Sequence, residues 1–560
     1  MANNNDEYLT FQQETYDRLK NIKDLDTRLV EFYHLLNDYS LRCPESELLD
    51  RIFIDFMNCT SLFPSSDNKK RILGFAVFNP NLRVIKLLEA SGLDIYEVEL
   101  EDGSSALYCL IEEAYLRTFA EFDPKMKTLR VIEYFLKNPR ENFCDGNGHT
   151  YLHAACMSGN VTAINLLLSR GVDVNLDSYE YSALHIAAQY RHLDVVQILL
   201  EHKANPNQPD HEQSMPLHAL ARLCLCHCTN GVRFCDKRKP VDDIIQTLIE
   251  YGANIEAQNR HGDRPLDLAV SRFDVQLVKS LLKYGASLDN LNEDKMFGTE
   301  FTSIELKNYP LTLNIIEMVQ LLQSAGFKMR FETRLKMLKY WIKVRGNDTD
   351  HLIPEFSHPP TDLIIGANIF LTLCCIINNG FYIKQEAKDF LQQKSDEIKQ
   401  KFPGQSNLFR QDQEDLSSEN VSKLKNIMLT DDVSLYQLCQ MNYSKGYSIV
   451  KKLNNWQLPP MDDFSCTEIN LIVKRHVANI LIRPHLELFA ADLFMTDYCK
   501  LSLPYVACRR IAECMSHEEL LRLCHQTDED KLQSSPIRHK RRCDDDDTKS
   551  QPRSSRQRVP

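Results

Sequence analysis

Tyr151-Leu152-His153-Ala154-Ala155, Ala183-Leu184-His185-Ile186-Ala187 and Pro216-Leu217-His218-Ala219-Leu220 are three copies of one motif, their leucines 32 and 33 residues apart. Each copy is followed by an apolar run of helical spacing and then a short polar loop. A fixed period of this length belongs to stacked-repeat architectures, in which a unit buries its apolar face only against its neighbours. Such arrays present surfaces and rarely do chemistry, so the question becomes which partner is bound.

Working outward, each unit opens on a turn carrying Asp or Asn and often Gly, as in Asp145-Gly146-Asn147-Gly148-His149-Thr150. A short helix starts at Leu-His or its equivalent, and a second helix follows. The second helices read Val161 to Leu168, Val195 to Leu200, Ile244 to Ile249 and Leu277 to Leu282. Gly171, Gly252 and Gly285 stand where a left-handed residue ends the helix, since glycine has no Cβ to clash there. Lys203 replaces that glycine in one copy, at some cost in local stability. Ala154, Ala155, Ala187 and Ala188 let the paired helices approach closely.

These residues resemble the ankyrin repeat, whose first helix carries a T-P-L-H-x-A signature. Thr150, His153, Ser182, His185 and His218 occupy its polar positions, and Pro265-Leu266-Asp267 carries Asp in place of His. The resemblance implies that the Thr or Ser and the His close the turn by hydrogen bonds, so these histidines are neither metal ligands nor general bases. It is strongest over 145–290. Val84 to Leu88 with Gly92, then Ser105-Ala106-Leu107, extend it upstream; Ile316 to Leu322 with Gly326 reads as a last second helix downstream. The array is thus expected over 71–330, after an N-terminal helical segment, 1–70. Binding is expected at the turn tips (Gly146, Asn147, Ser178, Tyr179, His211, Glu212, Arg260 and His261) and on the exposed face of the first helices. Tyr179 and Arg260 are the anchor candidates, because aromatics and Arg dominate binding hot spots.

The interval from Leu217 to Leu266 stretches to 49 residues. The excess, about 222–240, holds Cys224, Cys226, Cys228 and Cys235. Four thiols could supply a tetrahedral zinc set, but Cys226-His227-Cys228 are consecutive, whereas structural sites separate ligands by two to four residues. No metal or other cofactor is therefore assigned, and a surface loop extending the recognition face is the alternative. A second insertion lies around Thr118 to Lys127.

Composition sets the frame. The 560 residues are too many for one core. The 43% hydrophobic and 26% charged content is that of an ordinary soluble protein. A net charge of −12 argues against a nucleic-acid partner. The 18 cysteines are scattered and the polar start, Met1 to Glu7, lacks an apolar leader, so a cytoplasmic or nuclear location is expected. The longest apolar stretch, Leu363 to Ile377, is too short for the roughly 20 residues of a membrane span.

Residues 331–411 read as amphipathic helices broken by Pro354, Pro359, Pro360 and Pro403. Beyond them lie Val433-Ser434-Leu435-Tyr436, a helix from Ile469 to Leu481, and two helices over 503–520. Pro504 suits a first helical position. Leu503, Val506, Ile511 and Met515 lie near helical spacing. Ser516 caps the second helix, with Glu519 completing a capping box and Leu520, Leu521 and Leu523 forming an apolar face. Leu-Pro, an Ile seven residues on and a capped Leu-rich helix resemble a truncated F-box. With the array and the Ser-Leu-Tyr segment, 412–526 resembles the PRANC domain that ends ankyrin-repeat proteins of poxviruses and parasitoid wasps. In this chain Cys508 and Cys514 stand where larger aliphatics belong. The resemblance implies an all-α protein: an ankyrin solenoid, a helical F-box-like domain and, from Thr527, a polar disordered tail. Arg538, Lys540, Arg541 and Arg542 in that tail form a basic cluster that reads equally as a nuclear signal or as solvated chain.

The implied function is that of a substrate receptor. The array captures a target protein, and Leu503, Pro504, Ile511, Leu520 and Leu521 dock a Skp-type adaptor of a cullin ubiquitin ligase. There is no Gly-rich phosphate loop or nucleophile elbow, and no enzyme activity is expected. The alternative is a stoichiometric inhibitor that sequesters a signalling or transcription factor through the array alone, as NF-kappaB inhibitors do.

Overall fold

The computed structural model describes residues 2–42, 46–116, 122–141, 143–221, 240–301, 311–346, 376–401, 411–452, 467–496 and 503–527. The described residues are mostly helical and contain only isolated β-bridges. The chain divides into two compact units between Tyr309 and Pro310.

The first unit is an ankyrin-type solenoid of all-α class. Its helices alternate between two layers. In one layer Leu25–Arg42, Asp67–Phe78, Ala106–Leu116, Tyr151–Ser158, Ala183–Gln189, Pro216–Ala219 and Pro265–Ser271 stack in succession. The other holds Glu47–Asn58, Leu82–Ala90, Phe122–Lys137, Val161–Ser169, Leu193–Glu201, Asp242–Glu250 and Val275–Lys283. The stacking thus begins upstream of residue 71, in helices that carry no motif because no turn tip precedes them. Each second helix buries one apolar stripe, such as Ile164, Leu167 and Leu168 or Leu277, Val278 and Leu281.

Backbone conformation follows the expected chemistry. Gly171, Gly252 and Gly285 have φ of 85°, 89° and 95°, and Lys203 takes the same left-handed state at 68°. Two insertions resolve differently. After residues 117–121, which lie outside the described set, the second helix of that unit runs from Phe122 to Lys137, 16 residues against nine in its neighbours. Cys224, Cys226, Cys228 and Cys235 also lie outside the described residues. The chain leaves that repeat at Ala221 and returns at Pro240, between the first and second helices. The insertion therefore starts from the end of the first helix opposite the turn tip, not from the tip itself.

In the second unit Leu311–Ser324 ends at Gly326, φ 100°, and packs on Phe331–Arg345 and Thr467–Leu481. Trp341, fully buried, donates its indole N–H to Thr312 O at 3.0 Å. Phe331 stacks on Phe489 of helix Arg483–Phe494 with ring centres 5.4 Å apart. The turn Thr430–Val433 and helices Leu435–Cys439 and Tyr443–Val450 repeat the ankyrin turn–helix–helix pattern. The bridge Met428 to Ser434 has the same six-residue spacing as Cys144 to Thr150, and the Ser434 N–H donates to Gln437 Oε1 at 2.8 Å. Gln437 there does the work of the repeat histidine. No helix among the described residues is long and apolar enough to cross a membrane.

Candidate protein-binding surfaces

The turn tips are built from backbone chemistry. The Asp145 carboxylate accepts N–H bonds from Asn147, His149 and Ser105 at 3.1, 2.9 and 2.8 Å. Burial opposes its charge, yet the bonds from His149 and Ser105 outweigh that and hold its carboxyl below the ordinary value. Asp210 and Asn259 repeat the arrangement, taking the N–H groups of Ser214 and Asp263 at 2.8 and 3.0 Å.

The histidines close the turns as the repeat signature implies. Thr150 N–H donates to His153 Nδ1 at 3.1 Å, and Met215 N–H to His218 Nδ1 at 2.9 Å. The opposite ring nitrogen reaches forward. His185 Nε2 lies 2.9 Å from Ser214 O and His218 Nε2 3.0 Å from Asp263 O. A carbonyl only accepts, so Nε2 carries a proton in both rings; His218, whose Nδ1 accepts the Met215 N–H, is therefore the neutral tautomer. Burial pushes the His153 imidazole down to about 4, with His149 adding to the effect, so it too stays neutral. In the fourth strong copy Asp267 takes the Arg264 N–H at 3.0 Å, and the Arg264 guanidinium neutralises it at 2.9 Å.

The proposed anchors are less free than their tip positions imply. The Tyr179 ring leans on His149, 4.0 Å between centres, and on Tyr181 at 5.5 Å. Tyr108 stacks on His149 at 3.5 Å and Tyr181 meets His211 at 5.8 Å, so five rings run continuously along the tips. Glycine makes this possible, since a Cβ at Gly148 would sit 1.9 Å from Ser178 O. His211 pairs with Glu180 at 2.9 Å and Arg260 with Glu212 at 3.0 Å. His261 lies beside Glu212 and accepts from Arg260 Nε at 3.2 Å. Asn147 donates to Ser104 Oγ at 2.9 Å, Gly146 N–H to Gly103 O at 3.0 Å, and Ser178 Oγ to Gly148 O at 2.9 Å. The tips form a laced ridge with half-exposed aromatic faces and exposed Glu180 and Arg260.

At the C-terminal end, Tyr505–Cys514 and His517–Gln526 form the expected helical hairpin on Arg483–Phe494. Ser516 accepts Glu519 N–H at 3.2 Å and its own N–H reaches Glu519 Oε2 at 2.7 Å, which is the capping box. Pro504 is the N-cap, with extended φ and ψ, one position earlier than the first helical turn. Leu520 is fully buried, with Cys524, and belongs to the unit's own core; half-buried Leu521 and Leu523 remain from that helix as surface candidates. Cys508 and Ala512 are also fully buried, so the small residue at 508 serves helix packing. Leu503, which precedes the helix, and Val506 and Ile511 on it are 37, 65 and 40% exposed. Of the residues expected to dock an adaptor, Leu503 and Ile511 are therefore exposed and Leu520 is not, while Val506 is the most exposed apolar side chain of the segment. Thr527 is buried and donates to Leu523 O at 2.6 Å, so the ordered unit includes it. Arg538, Lys540, Arg541 and Arg542 lie outside the described residues.

Comparison with known proteins agrees with the repeats. A family model for ankyrin repeats in three copies matches residues 125–210. An ankyrin repeat protein of fowlpox virus is 30% identical over 27% of this chain and 31% of its own length. An alpha-latrotoxin of Latrodectus hesperus is 35% identical over 17% of this chain and 7% of its own. A palmitoyltransferase of Lachancea kluyveri is 25% identical over 28% and 24%. The chain spans less than a third of each of these relatives. A toxin, a palmitoyltransferase and a viral protein are thus each similar to part of this chain, and what this chain's own match establishes is the ankyrin repeat, a scaffold for protein–protein interaction.

Proposed function

We propose that this ankyrin-repeat chain is a substrate receptor, binding a target protein through its array and a Skp-type adaptor of a cullin ubiquitin ligase through residues 503–526. The observation that carries this reading is the exposure of three large apolar side chains, Leu503, Val506 and Ile511, close together in sequence on a capped helical hairpin. Large apolar side chains this exposed are otherwise scattered along the described residues. Leaving each of the three in water is unfavourable by about 25 cal/mol per Å² of apolar surface, and a partner that covered them would recover that. The chain supplies no covalent chemistry; the recruited ligase would act on a target held near it.

Deleting the hairpin is a poor test, because Cys508, Leu520 and Cys524 are core residues whose loss would unfold the unit. Surface substitutions are better. Val506→Glu with Ile511→Glu should leave the circular dichroism and thermal midpoint unchanged while abolishing co-purification with a co-expressed Skp-type adaptor and cullin. Equal adaptor recovery by the double variant, or none by the unaltered folded chain, would leave sequestration by the array as the surviving reading.

A further inference from the structure

A cleft lies outside the 125–210 repeats. The helix Asp67–Phe78 and the turn Glu99–Asp102 enclose a cleft of about 600 Å³. That is room for a few side chains of an inserted segment, and too little for a folded domain. Its apolar lining is Phe75, Leu100 and Phe78, the last 52% exposed at the rim. Gly74 stands mid-helix, where glycine costs roughly 1 kcal/mol against Ala. It has no left-handed φ to justify it, and a Cβ there would meet nothing within 4 Å. The residue is therefore not required by packing or turn geometry; it leaves helix backbone open to the cleft.

Charge selects the occupant. The lining carries Asp67, Glu99, Glu101 and Asp102 against Lys70 and Arg71. Both cations are engaged: Lys70 lies 3.8 Å from Asp67, and Arg71 is held by Asp26 at 2.7 Å with Glu101 at 3.8 Å. Two cations thus stand against four lining carboxylates and Asp26, which leaves the rim acidic, with Glu99 in no ion pair among the described residues and Glu101 only loosely held.

We infer that this cleft binds an extended segment of a partner protein carrying a large apolar residue flanked by Lys or Arg. The apolar side chain enters over Gly74 between Phe75 and Phe78, and the flanking cations meet the Glu99 and Glu101 carboxylates. The inference needs the solenoid but not the adaptor surface, and its test omits any ligase component, so either reading can fail alone.

The test is fluorescence polarisation of the full chain with labelled ten-residue peptides whose core is Lys-Arg-Leu-Phe-Lys-Arg. Binding is expected, weakening with salt. Replacing the basic flanks by Glu and Asp, or Leu-Phe by Gly-Gly, should weaken it at least about tenfold. Gly74→Met should fill the floor and lower affinity to a similar degree, whereas Gly74→Ala should raise the thermal midpoint, showing that the position is free to change. Glu99→Lys with Glu101→Lys should remove most of the salt dependence. Equal affinity for the acidic-flanked peptide, an unchanged curve for Gly74→Met, or no binding of the basic peptide by folded protein would overturn the assignment.

Discussion

At the residue scale, two glycines with the same φ carry different burdens. Gly148 and Gly171 have φ of 88° and 85°, but only Gly148 faces an occupied position, Ser178 O. Gly171→Ala is expected to cost about 1 kcal/mol from conformation alone. Gly148→Ala should cost more than about 3 kcal/mol, because the Tyr179 turn must move. Urea midpoints of the two variants decide it, and equal losses would contradict the close approach. His517 is buried with neither ring nitrogen hydrogen-bonded, facing the Tyr443 ring and the Arg345, Arg483, Lys384 and Glu518 charges. Burial, helped by the two arginines, pushes it down from 6.5 to about 4. Its neutral form is the one the fold accepts, so stability is full above pH 6.5 and declines as pH falls towards 4. His476 and His485 are shifted the same way by burial. His517→Phe should flatten that decline when urea midpoints are compared at pH 7 and pH 5; an unchanged slope would assign the loss to the other histidines. The turn-closing role of His153, His185 and His218 was legible from the motif. The forward bond was not, because its acceptor is a backbone carbonyl 29 or 45 residues away that any residue type supplies.

At the element scale, the capping box of the last helix was legible because Ser516 and Glu519 state it in side chains. Ser516→Ala should cost about 1 kcal/mol and loosen helix His517–Gln526, seen as faster amide exchange there. Lys203→Gly should raise stability by up to about 1 kcal/mol, since Lys203 holds φ 68°. A lower urea midpoint would mean that its side chain makes a compensating contact. The packing of Leu520 inward was not legible: two consecutive leucines on a helix share hydrophobicity but not direction. The turn–helix–helix at 428–450 also escaped the motif, since Gln437 replaces the histidine and no second copy sets a period. Helices 25–58 escaped for the opposite reason, having the stacking but no turn.

At the scale of the first unit, the repeats are tied beyond nearest neighbours. Arg191, almost fully buried, pairs with Asp274 at 2.7 Å and reaches Leu220 O at 3.3 Å. It joins the second strong copy to the fourth across a third whose first helix has only four residues. Removing one partner strands a buried charge, so Arg191→Ala is expected to lower unfolding free energy by about 3–5 kcal/mol. A loss near that of a surface arginine would show the pair to be dispensable. The forward histidine bonds also give the series a baton. His185 and His218 each hand a proton to the turn of the next copy. In the Asp267 copy the carboxylate is answered at home by Arg264, and it is the guanidinium that reaches on, donating from Nη1 to Ser287 O at 3.0 Å. The baton thus passes from a neutral ring to a cation without being dropped. A copy grafted on either side of residue 259 should therefore bring one of the two carriers with it, the ring or the Arg–Asp pair.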